Sequence, residues 1–145
     1  MKMFIAGLII FLAMFNVVCL LNAESSQEYY QAGLNLSREE KWSEAIEKLR
    51  QAYQIDPKDG KICLALGLTL QRSGDTGQAL IYLKKSLEIN PKSVAPYFSL
   101  ALIYEKRKNY SLAINCWEEF LNLSDHEHLK NIARKHLKYL RDLNK

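Results

Sequence analysis

The chain has 145 residues, 48% hydrophobic and 25% charged. That is one domain's worth of ordinary globular composition, and it excludes wholesale disorder. Its 20 basic residues outnumber 16 acidic ones, a net charge of only +4, which falls short of the clustered basic balance of a nucleic-acid binder.

The first element is a leader. Lys2 supplies a positive start, residues 3–21 are apolar except for Asn16, and Ala23 offers a small residue before the polar change at Glu24. This is the layout of a secretory signal peptide covering residues 1–23, with cleavage expected after Ala23. The apolar run is long enough for an uncleaved membrane anchor to be the main rival. Cys19 adds a lipoprotein reading, ranked last because Val18 stands where lipidation signals prefer a small residue. All three readings export the remainder of the chain. Beyond the leader only Cys63 and Cys116 remain, too few for a disulfide framework, so the core must come from apolar packing. Both thiols are expected to stay free.

The next hundred residues repeat. Residues 45–57 read AIEKLRQAYQIDP and residues 79–91 read ALIYLKKSLEINP. Ala45, Ala79 and Ala113 stand 34 apart, as do Gly33, Gly67 and Ala101, then Leu49, Leu83 and Trp117, and finally Pro57, Pro91 and Asp125. Apolar positions recur at helical spacing twice in each interval, so each unit holds two amphipathic helices. Gly33, Gly67 and Ala101 fall in mid-helix, where glycine costs about 1 kcal/mol against alanine. The cost is tolerated where a side chain would hold the paired helix away. Pro57 and Pro91 stop the second helix. Asp59 and Ser93 are placed to cap the next helix in the chain, and Asp75 and Asn109 to cap the second helices of units two and three.

A 34-residue unit with this pattern resembles the tetratricopeptide repeat. The resemblance covers about 26–125 in three consecutive units, near 26–59, 60–93 and 94–127. The third unit departs from the pattern at Ala101 and Asp125. It implies an all-α solenoid of three helix-turn-helix units.

After Asp125 the pattern restarts once. Leu129, Ile132, Ala133, Leu137 and Leu140 form an apolar stripe, and Ser124 and Glu127 have capping-box spacing. Residues 126–145 are read as a closing helix (helical over 126–143) whose polar face keeps the end of the stack soluble.

Little here can carry chemistry. His126 and His128 diverge on a helix, and His136 has no cysteine or carboxylate at ligand spacing, so all three are read as solvent-exposed rather than as zinc ligands. Cys63 is read as a buried structural thiol, and Cys116 has no nearby histidine to activate it. The sequons at Asn35, Asn109 and Asn122 fit plain helix or cap positions. No enzyme, metal or cofactor is expected.

The resemblance instead implies a concave face lined by the first helices. Carried onto this chain, that face holds Tyr30 and Leu34, Leu64 and Leu68, Phe98 and Leu102. Arg38, Arg72 and Lys106 stand one turn beyond, although cations near helix C-termini also complement the dipole. The repeated leucines suggest a surface meant to be covered. The clamp by which some family members grip acidic chaperone tails is missing, because Tyr30, Leu34, Ala65, Ala95 and Ser99 occupy its places and only Lys61 suits it. The expectation is an exported, non-catalytic adaptor taking a peptide or helix of another protein. Its alternative is a self-associating protein whose groove is filled by a second copy.

Overall fold

The computed structural model describes residues 26–143. The leader, its cleavage point and Cys19 therefore lie outside the described residues. Among those residues there are seven α-helices and no strand, and none is long and apolar enough to cross a membrane. They fall into two compact units, one ending at Lys58 and one beginning at Asp59.

The first unit holds α1 (26–38) and α2 (Trp42–Ile55). The pair is drawn close by Gly33, where an added Cβ would meet Leu49 Cγ at 2.6 Å and the Ala45 carbonyl oxygen at 3.3 Å. Ala45, Leu49 and Ala52 are buried beneath it. At the far end of the pair, Ser26 Oγ donates to the Ala52 carbonyl at 3.2 Å.

The second unit runs α3 (Gly60–Ser73), α4 (Thr76–Ile89), α5 (Val94–Lys106), α6 (Tyr110–Leu123) and α7 (Glu127–Leu143). Helix α3 packs on α4, α5 on α6, α4 on α5, and α6 on α7. The close approach recurs at Gly67, whose added Cβ would lie 2.8 Å from Leu83 Cγ and 3.1 Å from Leu83 N. The hydrogen bond between helix ends also recurs with its direction reversed. Ser86, 34 residues after Ala52, donates to the carbonyl of Gly60, 34 residues after Ser26, at 3.1 Å. In α5–α6 the same two positions hold Val94 and Phe120, neither of which has a side chain able to make such a bond.

The turn between paired helices also repeats, and its backbone explains a glycine. Glu40, Gly74 and Lys108, each 34 apart, adopt φ of 60°, 95° and 58°. A left-handed residue ends each first helix, at a cost of roughly 1–2 kcal/mol for any residue but glycine. Only the middle turn avoids that cost.

Caps agree with the sequence reading, with two corrections. Asp59 accepts from Lys61 N at 2.7 Å, Asp75 from Gln78 N at 3.0 Å, and Asn109 from Leu112 N at 3.4 Å. Ser93 stands at the N-cap of α5 but its side chain accepts no capping bond. Pro96 occupies the third helical position and lacks the amide that such a cap takes up. Nor does the Ser124–Glu127 capping box form. Helix α7 begins at Glu127 itself, so Ser124 accepts from His126 N at 3.2 Å, while Glu127 pairs forward with Arg134 at 2.6 Å.

Candidate functional site

The sequence-derived face divides between the two units. Tyr30, Leu34 and Arg38 lie along α1 in the first, where Tyr30 and Leu34 are half-buried and Arg38 donates to Asn35 Oδ1 at 2.9 Å. In the second unit, Leu64, Leu68 and Arg72 climb α3 at intervals of four, and Phe98, Leu102 and Lys106 climb α5 likewise. The four apolar residues are half-buried and the two cations are exposed. Spacing of four puts each trio on one stripe of its helix.

These six residues are not gathered in one hollow. Leu68 and Phe98 meet in a pocket of about 350 Å³ with Val94, Ala95, Phe120 and Leu129. Leu64 lines a separate hollow with Ser86 and Ile89, at the ends of α3 and α4. Leu102 and Lys106 line a third, of about 390 Å³, with Lys108, Tyr110 and Tyr139. Two of the three hollows are thus walled partly by α7, the helix read from sequence only as a cap.

The floor of the first pocket is aromatic. Phe98 meets Trp117 edge-on at 5.1 Å between ring centroids and Phe120 at 5.3 Å. Trp117 and Phe120 are buried, whereas Phe98 keeps part of its ring in the pocket. Such pairings add about 0.5–1.5 kcal/mol beyond the area they bury, so Phe98 supports the fold as well as lining the hollow.

One carboxylate ties helix α7 to this cluster, in addition to the burial of Ala133, Leu137 and Leu140 and the Arg141–Glu118 ion pair. Glu105, on α5, accepts from the Trp117 indole Nε1 at 2.7 Å and meets His136 Nδ1 at 2.9 Å. The His136 imidazole also stacks on Trp117 at 4.9 Å between centroids. The sequence reading of His136 as solvent-exposed is corrected here: its side chain is only 34% exposed and that of Glu105 only 18%. Sequence spacing could not reveal the pair, because 31 residues separate its members. The one available signal was Trp117 at a leucine position of the repeat: a buried indole N–H needs an acceptor. His126 and His128 are exposed as read.

The thiols line none of the three hollows. Cys63 is buried in α3, Cys116 half-buried in α6, and neither is in a disulfide. Burial pushes the Cys116 thiol up to about 11, against a smaller downward pull from Lys84. It is protonated at neutral pH and a poor nucleophile. Among the described residues no three His, Cys, Asp or Glu side chains converge as a metal site would require.

The model of the tetratricopeptide repeat matches residues 60–93 and again residues 82–115. No curated protein matches the chain. Solved structures do. The TPR domain of Arabidopsis OM64 superposes with a TM-score of 0.75 at 20% identity, covering 83% of this chain and 98% of that one. SycD, the Yersinia enterocolitica type III secretion chaperone, solved with a peptide of the translocator YopD, gives 0.78 at 15% identity over 84% and 96%. The TPR2B domain of yeast Sti1, solved as a complex with pHsp70, gives 0.71 at 17% identity over 84% and 99%. At these identities the likeness is one of fold: an all-α solenoid of helix pairs.

Proposed function

Taking as premise that the chain is a tetratricopeptide-repeat protein, we propose that it is an exported, non-catalytic adaptor that binds a peptide or helix of another protein. The observation that carries this reading is the apolar pocket between α3, α5 and α7. Leu68, Phe98 and Leu129 line it and stay half-buried, uncovered by any element of the second unit. Apolar hollows with few polar groups are the usual form of a binding site. Solved relatives of this fold, SycD with its YopD peptide and Sti1 with pHsp70, support a polypeptide as the occupant. Export rests on the leader alone: Lys2, the apolar 3–21 and Ala23.

A self-associating protein is the second reading, favoured by Tyr139 and Leu143, which are 62% and 48% exposed on α7. The two readings separate in one experiment, a pull-down from the native envelope with light scattering on the same bait. Adaptor function predicts a distinct captured protein and a bait of single-chain mass. A bait at twice that mass, with nothing else captured, contradicts it. Export predicts that the purified protein begins at Glu24 or stays in the membrane; a soluble cytoplasmic chain still starting at Met1 contradicts it.

A further inference from the structure

Two of the hollows walled by α7 succeed one another along the same stripe of α5. Val94, Ala95 and Phe98 serve the first; Leu102, Glu105 and Lys106 serve the second. On α7 the corresponding residues are Leu129, then Tyr139 and Leu140. At 1.5 Å of rise per residue, their centres lie roughly 12–15 Å apart, the reach of about four residues of extended peptide.

The hollows differ in chemistry. Among the residues lining the first, only His126 can carry a charge. Burying an unpaired carboxylate or ammonium there would be costly, so the pocket selects an aliphatic or aromatic side chain. The second hollow gathers Lys106, Lys108, Tyr110 and Tyr139 around Glu105. The Glu105 carboxylate is already taken up by Trp117 and His136, whereas both lysines are exposed and have no ion-pair partner among the described residues. Two cations and two phenolic hydroxyls remain to receive an anion.

We propose that the second unit binds an extended peptide that seats one apolar side chain between Leu68, Phe98 and Leu129, and places a carboxylate, about four residues along, against Lys106 and Lys108. This deepens the adaptor reading and rests on it. It makes α7 a wall of the site as well as a cap, and it makes the site selective for spacing as well as for side-chain type.

The test is a random peptide library panned on the immobilised full chain, followed by affinity measurements on the enriched peptides. The expected consensus is a leucine or phenylalanine followed three to five positions later by aspartate or glutamate. Ala95 lines the pocket from an exposed position, so Ala95→Phe should fill it without disturbing the core. That change should weaken every enriched peptide about tenfold or more, as loss of a central anchor does. Charge reversal in Lys106→Glu with Lys108→Glu should weaken acid-bearing peptides about tenfold and remove their salt dependence, while scarcely affecting the same peptides with the acid changed to its amide. Circular dichroism of each variant checks folding. Enriched peptides without that spacing, or indifferent to both sets of changes, overturn the proposal. If they respond instead to Leu64→Glu, the adaptor reading survives and this one fails; if no peptide is enriched, both fail.

Discussion

The helix pairs α3–α4 and α5–α6 share one register and solve the same contact differently. In the first, Gly67 lets Leu83 approach to within van der Waals distance of backbone. In the second, Ala101 and Trp117 hold those positions, both fully buried. A larger residue on α5 is matched by a flat, larger one on α6. The exchange brings an indole N–H into the core, and the N–H recruits Glu105, which in turn engages His136 of α7. The α3–α4 pair needs no such partner, since Gln71 stands where Glu105 would be and Leu83 has nothing to donate. That change of packing residue thus adds a polar link between the α5–α6 pair and the closing helix, which also packs on α6 and helps wall both hollows.

Removing the indole breaks the comparison most severely. Trp117→Ala should cost about 3–5 kcal/mol, seen as a fall in denaturation midpoint together with loosening of α7 in hydrogen exchange. A loss confined to α6 would separate Trp117 from the closing helix. Next in size is Gly67→Ala, which forces a Cβ against Leu83 backbone and should cost about 1–3 kcal/mol. Its mirror, Ala101→Gly, should cost only about 1 kcal/mol, the helix penalty of glycine. Equal losses in the two would mean that the pairs pack alike. Removing the acceptor alone, Glu105→Ala, strands the indole N–H and should cost about 1–3 kcal/mol, whereas Gln71→Ala should stay within about 0.5 kcal/mol. Smaller again, and of opposite sign, is Lys108→Gly. It relieves the left-handed turn that Gly74 already relieves in the preceding pair, and should raise stability by about 1 kcal/mol.

The smallest effect is a pH dependence in the α5–α6 pair. The folded Cys116 thiol titrates at about 11, above its ordinary value of 9.0. Its contribution to stability is therefore fully present below about pH 9 and is lost as the pH rises to about 11. Cys116→Ser should flatten that decline in a pH series of denaturation midpoints; an unchanged slope would assign the decline to other groups.

Helix pairing was legible in the sequence because close approach demands small residues at fixed intervals, and Gly33, Gly67 and their alanine partners mark them. The caps at Asp59, Asp75 and Asn109 were legible for the same local reason. Ser93 misled because its usual donor is supplanted by Pro96 three positions on, and Ser124 because α7 starts two residues later than the box requires. The leucine stripe on α3 and α5 could be read from spacing. The walls of the hollows around Phe98 and Leu102 could not, since those depend on where α7 lies. The position of α7 in turn rests on its packing against α6, with Ala133, Leu137 and Leu140 buried, and on the Glu105–His136 contact, whose members have no local relation.

The central claim is that the pocket around Leu68 is a binding surface and not unfinished core, and Leu68→Glu tests it most directly. The side chain is half-buried, so placing a charge on this wet wall should cost about 1 kcal/mol and leave a cooperative, monomeric melt. Partner capture should collapse, because a charge buried in the complex without a counterion is costly. A variant that unfolds, with a loss of several kcal/mol, would show that Leu68 is core, and a folded variant that still captures its partner would contradict the account outright.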